Sequence, residues 1–253
     1  MSRLGLSRKP RLRQETLCEL VFRPLAHVVV LALAPLRVPP PAVVLGWTAC
    51  GIGGAVELAR GHLVAAALLV QLKTVLDNAD GQLARLTGRV TVFGRYLDCE
   101  CDLLVNAALF AALGWYAQRP FVAALGFAAL TFVLSVNFNV ERLARGVRTS
   151  SDPSMLGRVY SVLYGWQDRG VERFVGLRTR DGDAGRYHDT FTVSVLANLG
   201  MSTQLAAFGA LLVVGHPFVY VWMLLAQVVV VVMLFARRET LIRSNREVVL
   251  EHR

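Results

Sequence analysis

Residues 77–102 read DNADGQLARLTGRVTVFGRYLDCECD, placing Asp77, Asp80, Asp98 and Asp102 at spacings of three, eighteen and four in a chain that is 55% hydrophobic. At helical periodicity Asp77, Asp80 and Ala84 share one face, and Gly94, Asp98 and Asp102 share another. A short polar loop at 87–93 separates them. The pattern predicts two helices, 62–86 and 94–117, running antiparallel as neighbours, with both acidic faces meeting at one depth.

Working outward, residues 40–59, 62–76, 103–117, 121–138, 190–214 and 217–236 are each mostly apolar. About twenty such residues cross a bilayer, so the second and third runs reach that length only by extending into the aspartate-bearing segment. Mean hydropathy is +0.48 and 18% of residues are charged, against roughly a quarter in ordinary soluble domains. The net charge of +9 has a topological distribution. Seven Lys/Arg precede residue 40, three lie between 85 and 95, nine between 142 and 186 and five from 237 onward; only Arg60, Lys73 and Arg119 fall elsewhere. With six spans and both termini inside, this is the positive-inside pattern. The expected fold is therefore all-α and integral to the membrane. It comprises a cytoplasmic segment 1–39, a six-span transmembrane bundle over 40–236 with a cytoplasmic loop at 142–188, and a basic tail at 237–253. The apolar stretch from Pro24 to Leu36 is too short to span, and 14–37 reads as an interfacial amphipathic helix on the cytoplasmic face. Pro39-Pro40-Pro41 marks entry to the first span. Arg60-Gly61-His62 forms the tight turn before the second. In the long loop, 157–176 reads as a helix on the membrane surface, and 178–185 as a flexible stretch.

Several function classes are disfavoured. No basic stripe is interleaved with aromatics, so the charge points to anionic lipid rather than nucleic acid. The late apolar run lacks a small-residue cleavage site, so no cleavable signal peptide is expected. Cys18, Cys50, Cys99 and Cys101 supply neither a disulfide framework nor paired zinc-ligand motifs, and read as small side chains between helices.

Four carboxylates brought together repel one another, and burial without counter-charge disfavours their ionised forms. Divalent cations remove that conflict, and an oxygen-only donor set suits Mg²⁺ or Mn²⁺. Because Mg²⁺ keeps coordination positions for water and phosphate oxygens, the cluster implies a phosphoryl substrate. Gly81 beside Asp80, Ala84 one turn on, and Gly94 one turn before Asp98 leave room for a ligand. Arg85 offers a planar fork suited to phosphate. The plainer alternative is a solvated acidic helix end paired with Arg85, Arg89 and Arg95.

The string D-x2-D-G-x2-A-R-x8-G-x3-D-x3-D, met here at Asp77, Asp80, Gly81, Ala84, Arg85, Gly94, Asp98 and Asp102 without insertion, resembles the signature of the CDP-alcohol phosphatidyltransferase family. The resemblance implies a homodimeric membrane transferase. It implies that two Mg²⁺ or Mn²⁺ ions are held by Asp77, Asp80, Asp98 and Asp102. Asp102 would also serve as the general base, and Gly81 and Arg85, with Asp77, Ala84, Thr91 and Gly94 around them, would line the CDP-alcohol site. Such an enzyme moves a phospho-alcohol unit, here a phosphatidyl group from CDP-diacylglycerol, to a small polar alcohol and releases CMP. One departure is that members often carry T-P-N or T-P-D where this chain has Pro39-Pro40-Pro41.

Lys73, one turn before Asp77, could contact a phosphate or the acceptor, or neutralise Asp77. Asn106, Asn137, Asn139 and Asn198 read as polar links between helices. Arg142, Arg145 and Arg148 read as positive-inside charge, with binding of a phosphorylated acceptor the alternative. Two rival functions stand beside the main one: transfer from a non-lipid donor such as CDP-inositol to an inositol phosphate, and a cation transporter. Transport sites usually lie near the midplane, whereas these carboxylates gather at one end.

Overall fold

The computed structural model describes residues 13–144 and 190–251, with isolated positions 155, 158, 161–162, 165 and 169–170 between them. Residues 1–12, Arg145, Arg148, the stretch 178–185 and, apart from those isolated positions, the expected surface helix at 157–176 lie outside the described residues.

Among the described residues the chain is helical throughout, without strands. A π-helical turn, Cys18–Phe22, leads into α1, Arg23–Leu33. Then follow α2 (Pro40–Ala59), α3 (Leu63–Leu86), α4 (Val92–Tyr116), α5 (Pro120–Ala144), α6 (Thr190–Ala197), α7 (Met201–Val213) and α8 (Val219–Glu251). The proline triplet acts as read from the sequence, with Pro39 capping α2 in an extended conformation and Pro40 opening the helix. Gly61 turns the chain between α2 and α3 at φ +82°, a region costly for a side chain with Cβ.

Among the described residues three helices are long and apolar enough to cross a membrane: 40–59, 120–142 and 219–237. The expected single span at 190–214 is instead two helices bent by 46° at a break of three residues, and together they make a fourth candidate. Gly200, at the N-cap of α7, lies at the break. Helices α3 and α4 have the length, 24 and 25 residues, but their aspartate-bearing ends are polar. The tail was expected to begin at 237; the helix of the last span runs on through it to Glu251.

The outside of the bundle is apolar. Leu45, Leu68, Leu104, Phe121, Leu125 and Trp222 are all more than half exposed, while Lys73, Asp80, Asn106, Asn139 and Gln204 are buried. That inversion suits a lipid surroundings, where polar groups belong in the interior.

The antiparallel pair expected from residues 62–117 is joined by a third helix that packs on both. α3 and α4 have little backbone contact with each other, and both pack along α2. The reason is a run of small residues on α2. A Cβ on Gly51 would collide with the Val105 side chain of α4, while one on Gly54 would press on Val70 of α3 at 3.3 Å. α2 thus draws both aspartate helices against one glycine-bearing face. Trp47, Leu58, Val70, Leu109 and Leu113 knit the three helices into one core, closed by α7 and α8. α1 lies along α3, where Ala26 and Val30 meet Ala79 and Leu83. Its other face carries exposed Leu25, Val28 and Leu31.

Candidate functional site

The aspartate ends of α3 and α4 border a cavity of about 380 Å³. Asp77, Asp80, Gly81 and Arg85 line it from α3, and Asp98 and Asp102 from α4. One carboxylate oxygen from each of Asp77, Asp98 and Asp102 lies within 4.8 Å of the other two, the one such acidic group of three among the described residues. The two helices, both packed on α2, therefore bring their acidic faces to a common point.

Asp80 is held differently. Trp47, fully buried on α2, donates its indole N–H to Asp80 Oδ2 at 2.6 Å. The same indole ring lies under the Lys73 ammonium, 4.4 Å from the ring centroid. Lys73, 1% exposed, donates to Asp77 Oδ2 at 2.8 Å and to Asp102 Oδ1. Of the two readings of Lys73, the geometry supplies the neutralising one and extends it to a second aspartate on another helix. A cation buried in this way is tolerable because its partners and the ring replace its hydration.

Asp98 Oδ1 is buried with no hydrogen-bond partner. Buried acceptors are nearly always satisfied, so this oxygen marks a place that water or a cation fits. Three clustered carboxylates with only oxygen donors match the hard-cation preference for Mg²⁺ or Mn²⁺. Asp77, Asp98 and Asp102 are the residues that could hold such an ion, with Asp80 beside them.

The remaining motif positions fall into two groups. Arg85 folds back over Gly81: a Cβ at 81 would lie 3.2 Å from its guanidinium. The space cleared by the glycine is thus taken by the arginine's own fork, which lines the cavity. Ala84, Thr91 and Gly94 are not among the lining residues. Thr91 is the N-cap of α4, its hydroxyl accepting the Gly94 N–H at 3.0 Å, and a Cβ on Gly94 would crowd that hydroxyl at 3.1 Å. The visible service of Thr91 and Gly94 is to start α4 nearly two turns before Asp98.

Several wall residues carry no motif signal. Glu15 and Cys18, from the segment before α1, line the cavity beside the α6–α7 break. Glu15 accepts the Thr203 N–H at 2.5 Å and the Thr203 hydroxyl at 2.7 Å, capping α7. It passes so close to Gly200 that a Cβ there would meet the carboxylate. Asn78 ties three elements together: it donates to Thr74 O and Ser202 Oγ and accepts from Cys18 Sγ. Asn106 reaches the cavity from α4 and donates to Met201 Sδ at 3.8 Å, a link of the kind expected for it. Asn198 likewise accepts from the Thr16 N–H. Asn139 bonds Ser135 and Arg142 of its own helix. None of the four cysteines, all among the described residues, forms a disulfide; Cys18 and Cys101 are buried.

Residues 24–163 match the family described as CDP-alcohol phosphatidyltransferase. The phosphatidylinositol phosphate synthase of Corynebacterium glutamicum is 33% identical over 135 residues, 53% of this chain and 57% of that protein. That of Mycolicibacterium smegmatis is 40% identical over 89 residues, 34% of this chain and 40% of that protein. A bifunctional IPC transferase and DIPP synthase of Aquifex aeolicus is 35% identical over 80 residues, 30% of this chain and 18% of that protein. The chain thus spans about half the length of the synthases it matches. No solved structure matches.

Proposed function

The chain belongs to the CDP-alcohol phosphatidyltransferase family, and on that premise we propose that it transfers a phosphatidyl group from CDP-diacylglycerol to a hydroxyl of a small polar alcohol, releasing CMP. The observation that carries this reading is the convergence of Asp77, Asp98 and Asp102 within 4.8 Å on the wall of a cavity that Arg85 shares. The curated relatives are named for phosphatidylinositol phosphate, so an inositol phosphate is the first acceptor to try. A donor without lipid tails is the rival within the same chemistry.

In this reading Arg85 holds a diphosphate oxygen through its fork. Divalent ions, when bound at the carboxylates, supply charge neutralisation on the diphosphate and its leaving group. Asp102 orients and then takes the proton of the acceptor hydroxyl. Its Oδ1 is committed to Lys73, which leaves Oδ2 for that proton. The acceptor oxygen forms a bond to the phosphorus bearing the diacylglycerol, the bond from that phosphorus to the CMP oxygen breaks, and CMP leaves with the electron pair. The fixed placement of these groups, more than any covalent step by the protein, lowers the barrier. Six crossings, an interfacial α1, a site opening to the cytoplasm and a homodimer complete the proposal. It is supported by the basic residues gathered on one side in the sequence and by the apolar outer face of α1.

The test is CMP release by the purified protein in lipid. CDP-diacylglycerol is offered with a panel of polyols and polyol phosphates, after EDTA treatment and after return of Mg²⁺ or Mn²⁺. Expected are no release in EDTA, restoration by either metal, and one acceptor well above the rest. No CMP release with any acceptor in either metal would sink the proposal; release only from a non-lipid CDP-alcohol would replace the donor.

A further inference from the structure

The chain contains 25 arginines and only two lysines, Lys9 and Lys73. The one at the acidic cluster is buried, and its ammonium sits among Asp77, Asp102 and the Trp47 ring. An arginine fork is built for planar, two-point contacts, whereas an ammonium is a compact point charge with three donors. The pocket uses that compactness. One nitrogen bridges a carboxylate of α3 to a carboxylate of α4, two helices with little other contact. Trp47 completes the arrangement by holding Asp80 through its N–H. One aromatic–lysine pair thus touches three of the four acidic residues, leaving Asp98 with its unpartnered oxygen.

We propose that Lys73 is a resident counter-cation of the acidic cluster, a positioning residue that holds Asp102 toward Asp77 and sets how tightly the cluster binds a divalent ion. This rests on the transferase reading for its catalytic half only. Electrostatics fixes the sign. A unit charge about 4 Å from a site interacts strongly even at an effective dielectric of about 20. An ammonium among the ligands therefore weakens the attraction for a second cation. In exchange it keeps Asp77 and Asp102 together before any ion arrives, and keeps one oxygen of Asp102 occupied so that the other faces the reaction.

The experiment titrates Mn²⁺ into the full-length protein in lipid nanodiscs without nucleotide, reading free Mn²⁺ by electron paramagnetic resonance. CMP release is measured in parallel. Lys73→Met keeps the aliphatic stem and removes the charge. Its Mn²⁺ dissociation constant is expected to fall about tenfold or more, while kcat for CMP release falls about tenfold and the donor KM changes little. Those opposite signs are the signature. A lysine that only packs would loosen metal binding and turnover together. Lys73→Gln, which retains hydrogen-bond donors, carries the same expectation for Mn²⁺ and serves where the methionine variant does not fold. Unchanged or weaker Mn²⁺ binding in these variants overturns the proposal, as does a wild-type protein that binds no Mn²⁺. A wild-type protein that binds Mn²⁺ but releases no CMP removes the transferase reading and leaves the counter-cation role standing.

Discussion

The two ends of the α2–α3–α4 unit solve opposite problems with the same three helices. At one end Gly51, Gly54, Ala66, Val70, Leu109 and Leu113 interlock, with Gly51 and Val105 packed so closely that no side chain fits between them. At the other end α3 and α4 border a cavity, and the contacts behind its acidic wall are polar: Trp47 to Asp80, and Lys73 to Asp77 and Asp102. The packed end fixes where the backbones run, by close contact that needs no partner atoms of particular chemistry. The acidic end inherits that placement and spends it on charges that would otherwise drive the helices apart. Damage at the packed end should cost stability, and damage at the acidic end should cost turnover.

The comparison is tested hardest at Asp102. Asp102→Asn keeps the side chain's size and an acceptor for Lys73, and removes the proposed base with its negative charge. CMP release is expected to drop by roughly 10² to 10⁴, the usual contribution of a positioned base. The thermal midpoint in lipid should stay near wild type, since the core at the far end is untouched. Turnover near the wild-type rate would remove Asp102 from the base role; a large loss of stability would show that the acidic end also holds the bundle together.

The converse variant is Gly51→Val. Its added carbons meet Val105 where there is no space, and overpacking of this kind typically costs about 1–3 kcal/mol. A lowered thermal midpoint is expected, with CMP turnover of the folded fraction and Mn²⁺ binding close to wild type. If turnover collapsed while stability held, the separation between the two ends would be broken.

Much of this division can be read from the chain alone. The apolar runs locate the helices, the proline triplet starts α2, and the aspartate spacing selects the faces that converge. What cannot be read is which helix packs on which. Nothing local in residues 40–59 announces that Gly51 and Gly54 face different partners, because each glycine is defined by a side chain on another helix. Trp47 is 33 residues from Asp80, and Glu15 is 188 residues from Thr203. Such pairs leave no periodic trace. The break at 198–200 did leave one, an Asn-Leu-Gly stretch inside an apolar run, which hydropathy averaging passes over. Thr91 also had a local reading that the family resemblance obscured. A threonine just before an apolar periodic segment is an N-cap signal, and that is where the structure puts it.

Trp47 lies where the two ends meet, and it gives the smallest and sharpest test. It is buried in the same core as Leu58 and Leu113, yet its N–H holds Asp80 and its ring lies under Lys73. Trp47→Phe keeps an aromatic face for the ammonium and removes the N–H donor. A hydrogen bond to a carboxylate is worth about 1.5–3 kcal/mol, part of which the freed space and water return. CMP release is therefore expected to fall about tenfold, with a stability loss of about 1 kcal/mol from the smaller ring. Mn²⁺ binding should shift far less than in Lys73→Met, because the cluster's charge is unchanged. If Trp47→Phe lowered stability alone, Asp80 would need no support from α2, and the acidic end would depend on the packed end only for backbone placement. If it altered Mn²⁺ binding as strongly as the lysine variant, then the ring and the ammonium act as one unit, and the boundary between the two ends runs through Trp47 rather than beyond it.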